Sequence, residues 1–252
     1  MADLKDVVEY LDTALKISDF EDYPGAHNGL QVECRSPIDR ACVATDACLE
    51  TIEKTAENGA NLLFVHHGLF WGDPLPLTGL IYRRVRALVE ADIALYAAHL
   101  PLDVHPMFGN NAILARSLDL HIEGRFGDWR DVPGLGVWAV VDRPLNDFVS
   151  RVEKVCDSQA LVLRGGPPHV RRVAVITGGG GSMIRQAHEE GFDTLLTGEG
   201  NHHTYHEAME YGINVIYAGH YATETFGVQA EGKGLADRFG IEWKFIHHPT
   251  GM

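Results

Sequence analysis

The sequence predicts an α/β fold of the mixed α+β kind, in which two similar halves each contain a mixed sheet with helices on its faces. Short apolar runs typical of strands alternate with stretches of helical periodicity along the whole chain. Two widely separated segments also resemble each other, which indicates an internal duplication. The 252 residues are ample to bury a core, and no linker separates independent domains, so we expect one compact unit.

The first half, residues 1–125, opens with an amphipathic helix after Asp3, because apolar residues recur at helical spacing from Leu4 to Leu15. The continuous apolar runs 61–65 and 93–97 are typical of strands covered on both faces. Further helices are predicted near residues 47–58 and 80–90, the first of them ended by a glycine.

The second half, residues 126–252, repeats the alternation of strands and helices. Strands are predicted at 138–141, 161–163, 173–176, 194–196, 214–217 and 242–246, and helices near 145–156 and 182–190. The helix after Glu224 contains Gly227, Gly232 and Gly234. A glycine inside a helix costs about 1 kcal/mol relative to alanine, so we expect this helix to be bent, or short and packed against a neighbour.

Composition excludes several classes of function. The chain has 21 Lys and Arg against 35 Asp and Glu, a net charge of −14, which argues against a nucleic-acid polymer as partner. No apolar run approaches the ~20 residues that span a bilayer, and the N-terminus lacks the features of a signal peptide. The four cysteines form no CxxC pair. We expect a cytoplasmic protein with no membrane partner.

The duplicated segments contain residues capable of metal chemistry. Residues 96–103 and 217–224 both read Tyr-Ala-small-His-x-x-x-acid, and both follow an apolar strand. Each half therefore presents one histidine and one carboxylate at the end of a strand, the edge at which ligands bind in sheets covered by helices.

Four elements predict a metal site at these strand ends: the pair His66-His67, then His99 with Asp103, then Glu199, and finally His220 with Glu224. Single histidines in such places are usually structural, but their repetition in both halves favours ligands. Imidazole and carboxylate together suit divalent Zn, Mn, Fe, Co or Ni. Adjacent side chains on an extended strand face opposite ways. The histidine pair therefore predicts two ions, with Asp103 or Glu224 as the bridge.

Other residues are candidates for binding substrate or supporting the ligands. Glu199 and His203 could position substrate or orient a ligand, or be a helix-end acid and a surface histidine. Asn111 could serve the site or merely begin a helix. Gly179 and Gly180 belong to a glycine run between a strand and a helix, where phosphate can bind, although the run lacks the Gly-Lys-Ser/Thr of a P-loop.

Five segments in this order, HHGLFWG, AAHLPLDVHPMFGNNA, ITGGGGSM, TGEG and AGHYATE, resemble the signatures of the Nif-three-like dinuclear metal-centre family. Members are often named GTP cyclohydrolase 1 type 2 homologues. The similarity runs from HNGLQVE to the C-terminus, and the short middle section resembles the family's short form. One departure is His27, where the family often has an acid.

The resemblance implies a Nif-three-like fold of two intertwined α/β halves, two divalent metal ions and a toroidal homohexamer. It also implies which residues bind the metal, with Glu224 as the bridge; these are His66, His67, Asp103, His220 and Glu224.

We therefore predict a metal-dependent hydrolase that uses metal-activated water on a nucleotide or related small molecule. His99 is the candidate general acid or base, and GTP enters only through the resemblance. The first alternative is a non-catalytic metal carrier or hexameric scaffold. A second is a Rossmann-like nucleotide-binding module that depends on the glycine run.

Overall fold

A computed structural model describes residues 1–72, 75–130 and 132–252. The strands are β1 (Gly29–Val32), β2 (Arg40–Asp46), β3 (Leu62–His67), β4 (Ala94–Ala97), β5 (Ile122–Phe126), β6 (Gly136–Pro144), β7 (Leu161–Arg164), β8 (His169–Val175), β9 (Thr194–Thr197), β10 (Asn214–Tyr217) and β11 (Glu242–Phe245). The helices are α1 (Leu4–Leu15), α2 (Leu49–Glu57), α3 (Gly79–Glu90), α4 (Leu100–Asp103), α5 (Asn110–Ser117), α6 (Leu145–Cys156), α7 (Ile184–Glu189), α8 (Thr204–Tyr211), α9 (His220–Thr223) and α10 (Thr225–Phe239). The α/β class with two mixed sheets is confirmed.

Contacts group the chain into two units, each assembled from two segments. The first contains Met1–Leu102 and Gly227–His248, and the second contains Asp103–Phe226 and Pro249–Met252. Whereas the sequence suggested halves of 1–125 and 126–252, the contacts place most of α10 and all of β11 with the first unit.

The first unit is built on a five-stranded sheet in the order β1-β4-β3-β2-β11. β4, β3, β2 and β11 are parallel, and only β1 pairs antiparallel. Successive residues of β3 enter different cores: Phe64 packs with α1 and α10, while Leu63 packs with Ile52 of α2 and Leu88 of α3. Both faces of the sheet are therefore covered, as the continuous apolar run predicted.

The second unit is built on a six-stranded sheet in the order β5-β6-β8-β9-β10-β7. β8, β9 and β10 are parallel, and the remaining pairs are antiparallel. Its core joins Leu114 of α5 and Phe148 of α6 to Val173 and Leu196 of the sheet. The parallel strands bring three connections to one edge, namely those that hold Gly178, Glu199 and His220.

The sequence predicts that the helix after Glu224 is bent, or short and packed against a neighbour; α10 runs for 15 residues and is therefore not short. Two of its three glycines lie close to neighbouring side chains. A Cβ atom on Gly232 would lie 2.4 Å from the Trp243 ring, and one on Gly234 would lie 2.9 Å from the Tyr10 hydroxyl. Tertiary packing thus outweighs the weak helix propensity of glycine. None of the helices within the described ranges combines the length and apolar character that crossing a membrane requires.

Candidate metal centre

Three histidines of the first unit lie together at one edge of its sheet. His66 and His67 are the last residues of β3, and His99 follows β4 by two residues. The ring centroids are 4.6 Å apart for His66 and His67, 5.0 Å for His66 and His99, and 5.6 Å for His67 and His99. Each ring offers one nitrogen within 4.8 Å of the other two, so the three side chains could hold one ion.

Each of these rings is held through Nδ1 by a neighbouring protein oxygen. The acceptors are the Ala98 carbonyl for His66 (2.9 Å), Asp46 Oδ1 for His67 (2.8 Å) and Asp22 Oδ1 for His99 (2.9 Å). Because carbonyl and carboxylate oxygens only accept, Nδ1 donates, and the lone pair of the neutral ring falls on Nε2. Histidines that bind metals are oriented in the same way.

The arrangement of His66 and His67 corrects one sequence expectation. On a regular strand their rings would face opposite ways, yet their centroids are only 4.6 Å apart. The two residues end β3, and each ring is tied to a different neighbour, His66 to Ala98 beyond β4 and His67 to Asp46 on β2. The pair alone is therefore no argument for two ions.

The loop before β1 fixes His99. The Asn28 side chain accepts from the His99 backbone N–H (2.7 Å) and donates to Asp22 Oδ2 (2.8 Å). Burial alone would raise the pKa of Asp22, but hydrogen bonds from His99, Asn28 and the Tyr23 backbone outweigh it and lower that pKa below its ordinary value. Asn28 thus connects the HNGLQ segment to the site, while His27 is exposed.

The second unit places His220 between two carboxylates. Nδ1 of His220 lies 3.0 Å from Glu199 Oε1, and Nε2 lies 3.1 Å from Glu224 Oε2. Burial alone would lower the pKa of His220, but Glu224 and then Glu199 outweigh it and raise that pKa to about 9. Glu199 is therefore close enough to His220 to orient its ring. His203 is exposed, 4.0 Å from Glu207, and its role in binding substrate stays a prediction.

Asp103 is buried in a polar network of the same unit. Its Oδ1 accepts from Asn110 Nδ2 (2.8 Å) and lies 3.3 Å from the Thr177 hydroxyl, and its backbone carbonyl accepts from Asn111 Nδ2 (3.1 Å). A carboxylate oxygen of Asp103 lies within 4.8 Å of one on Glu224. Both asparagines are buried inside α5, whose N-cap is Gly109.

The glycine run approaches Glu224 closely. Gly178 adopts φ +65°, and a Cβ atom there would lie 2.0 Å from Glu224 Oε1. Three of the run's amides donate within the protein: Gly178 to Thr223 Oγ1 (3.1 Å), Gly180 to Thr197 Oγ1 (3.0 Å) and Gly181 to the Glu199 carbonyl (3.1 Å). Close packing explains Gly178, Gly180 and Gly181, whereas a Cβ atom on Gly179 would have no atom within 4 Å among the described residues. A role for Gly179 and Gly180 in binding substrate stays a prediction.

The described residues therefore include groups of donors that could hold a divalent metal ion. The three imidazoles of the first unit form one such group, and His220, Glu224 and Asp103 are members of the others. Nitrogen and carboxylate oxygen together suit Zn, Mn, Fe, Co or Ni, and the contacts of Asp46, Asp22 and Glu199 with ring nitrogens are typical of the support that surrounds metal ligands.

Comparison with known proteins gives a consistent result. The family model described as Duf34/NIF3 (NGG1p interacting factor 3) matches residues 2–250. A protein of Deinococcus radiodurans named GTP cyclohydrolase 1 type 2 homolog is 46% identical over 249 residues, which cover 98% of this chain and 94% of the relative.

Solved structures share the fold. The protein TTHA1606 from Thermus thermophilus has a TM-score of 0.92 and 41% sequence identity, with 99% of this chain and 100% of that chain covered. Reduced HcgD from Methanocaldococcus jannaschii has a TM-score of 0.83 and 26% identity, with 98% of each chain covered.

Proposed function

The chain belongs to the Duf34/NIF3 family, and from this premise we propose that it is a hydrolase that depends on two divalent metal ions. The proposed ligands are His66, His67, Asp103, His220 and Glu224. The observation that supports this most is the orientation of the rings: His67 and His220 each have Nδ1 against a carboxylate, at 2.8 and 3.0 Å. Such contacts set the tautomer and basicity of metal ligands.

Divalent ions bound by such donors lower the pKa of coordinated water and polarise an electrophile. Of the three imidazoles at this edge, we assign His66 and His67 to the metal ions and His99 to proton transfer. Its Nδ1 donates to Asp22 Oδ1, so Nε2 is the atom that accepts a proton from, or returns one to, the reacting group. The Asp22 carboxylate stabilises the imidazolium that forms when Nε2 is protonated.

The test is turnover by the metal-loaded protein. GTP is the first substrate to try, because the relatives carry the name GTP cyclohydrolase 1 type 2 homolog; other nucleotides and phosphoesters follow. We expect His99→Ala to retain metal and lose at least about 100-fold in rate. His121→Ala, at an exposed histidine, is the matched control and should be unaffected. Turnover that never exceeds the His66→Ala background would contradict the proposal.

The alternative function, a non-catalytic metal carrier, predicts a different result in the same samples. A carrier would release its ions to an acceptor within minutes and show no turnover, whereas a catalytic centre should retain them through dialysis. The fixed rings favour a catalytic centre, since oriented ligands bind ions tightly.

We also propose that the protein acts as a toroidal homohexamer in the cytoplasm, as the family resemblance implies. Light scattering on the purified protein tests this assembly directly. A species of six times the chain mass is expected, and a monomer at micromolar concentration would contradict it.

A further inference from the structure

A cleft of about 290 Å³ opens in the first unit beside the histidines. Its apolar wall consists of Leu30, Phe70, Trp71 and Leu75. Leu30 and Leu75 are 38% and 50% exposed, so part of this apolar wall is open to solvent. The volume is near the lower end of the roughly 300–1,000 Å³ typical of small-molecule sites.

Trp71 places this cleft next to the reactive histidines. Its ring packs edge-on against His99, with centroids 4.9 Å apart at 83°, and lies 6.1 Å from the His67 ring. The indole N–H donates to the Gly68 carbonyl over 2.9 Å, which fixes the ring. A molecule that stacks on Trp71 would therefore reach the imidazoles without any rearrangement of the indole.

The cleft is preformed by contacts between its two loops. Gln31 donates to the His27 carbonyl (2.6 Å) and accepts from the Leu69 N–H (2.7 Å), and so joins the loop before β1 to the segment after β3. At the rim, the backbones of Gly25 and Gly72 meet, since a Cβ on Gly25 would lie 2.2 Å from Gly72 Cα. A side chain larger than hydrogen at Gly25 would therefore separate these loops.

The charge of the walls selects the kind of ligand. Among the lining residues that the structure describes, none is Lys or Arg, so a phosphate or carboxylate would find no permanently charged cation to pair with. An indole ring favours a flat π-system, which stacks on it. His27, exposed at the mouth, offers a hydrogen-bonding edge that a nitrogen heterocycle would use and a hydrocarbon ring would not.

We propose that this cleft binds the neutral heteroaromatic ring of the substrate, stacked on Trp71, and that it thereby determines specificity. The proposal deepens, and rests on, the proposed hydrolase function, since it assigns the substrate's planar part to the cleft and leaves its reacting bond to the histidines. The ligand class is a purine-like base or a ring of similar size, and Trp71 is a specificity residue.

The experiment measures binding of guanosine and of ribose 5-phosphate to the metal-free protein by equilibrium dialysis. We expect guanosine to bind and ribose 5-phosphate to bind at least tenfold more weakly. Trp71→Ala should weaken guanosine binding by at least about tenfold, as expected when stacking is lost, while Trp71→Phe should weaken it less. Trp129→Phe, in the second unit, is the control and should bind as the wild type does.

Folding and metal uptake are measured on the same variants. Leu75→Ala changes an exposed side chain and should weaken guanosine binding severalfold even if Trp71→Ala fails to fold. Equal binding of guanosine by Trp71→Ala and wild type, or equal binding of the two probes, would overturn the proposal. If either of these binding results is found while the protein still takes up metal, only the proposed role of the cleft is rejected. If the wild-type protein takes up no metal, the proposed hydrolase function itself is rejected.

Discussion

Asp46, the last residue of β2, accepts a hydrogen bond of 2.8 Å from Nδ1 of His67, the last residue of β3. The parallel register pairs these two residues directly, so the sheet itself brings the carboxylate to the ring. A carboxylate in this position holds the imidazole of a metal ligand in one tautomer and makes it more basic.

Asp46→Asn should therefore weaken metal binding. An amide keeps the size of the side chain but removes the charge that supports the ring, and losses of roughly 10–100-fold in affinity are typical. Competition with a chromogenic chelator measures the change. Asp39→Asn, at an exposed position just before the same strand, is the control. If both variants bind metal as the wild type does, His67 is not a ligand that depends on Asp46.

The strands that carry the histidines could be predicted from the sequence because they are buried on both faces. Residues 62–67 and 94–97 form strands, and the continuous apolar runs there admit few alternatives. Parallel strands end at a common edge of the sheet. The positions of His66, His67 and His99 at the ends of these apolar runs therefore predict that the three side chains lie together. The sequence does not predict the short edge strands β1 and β5, because neither contains a continuous apolar run; β5 alternates half-buried and exposed residues and ends in the buried Phe126.

The supporting carboxylates could not be predicted in this way. Asp22 lies 77 residues from His99 and Asp46 lies 21 from His67, so no local spacing links them. Their pairing results from the register of the sheet and from a loop held by Asn28. The one available signal was the HNGLQ segment, whose asparagine, rather than its first residue, contacts the site.

Gly178→Ala should abolish the binding of metal by the second unit's ligands. The added methyl group would lie 2.0 Å from Glu224 Oε1 and displace that carboxylate, and the left-handed φ of +65° adds a cost of about 1–2 kcal/mol. Metal content by mass spectrometry and thermal unfolding are the measurements.

The variant Gly240→Ala distinguishes the effect of backbone strain from the effect of displacing the Glu224 carboxylate. Gly240 has nearly the same φ, +66°, but a Cβ there has no atom within 4 Å among the described residues. The Gly240→Ala protein should lose a similar amount of stability and retain its metal. Equal metal content in the two alanine variants would show that Glu224 is not displaced, or does not bind metal.

Glu231 predicts a pH-dependent stability that is independent of the metal. The residue is fully buried in α10, and neither carboxylate oxygen has a hydrogen-bond partner among the described residues. Burial raises its pKa from about 4.5 to about 7. The nearby titratable groups are Tyr10, Asp12 and Tyr96; Asp12 accepts from the Tyr96 hydroxyl over 2.7 Å.

The pKa of Glu231 is higher in the folded protein than in the unfolded chain. Protonated Glu231 therefore contributes its full stabilisation of the fold only below pH 4.5. This stabilisation is lost as the pH rises from 4.5 through 7. The total loss is about 3 kcal/mol, because each unit of pKa difference corresponds to about 1.4 kcal/mol. Glu231→Gln should remove this loss. Urea unfolding between pH 5 and pH 8 measures it, with Glu9→Gln, an exposed position on α1, as the control. A parallel pH dependence of wild type and Glu231→Gln would contradict the assignment.

His66, His67, Asp103, His220 and Glu224 are proposed to bind two divalent ions per chain. Elemental analysis of the purified, dialysed protein tests this proposal most directly. We expect about two ions per chain, with His67→Ala and Glu224→Ala each losing metal and His121→Ala retaining it. A metal-free wild type in metal-supplemented buffer, or unchanged metal content in both ligand variants, would contradict it.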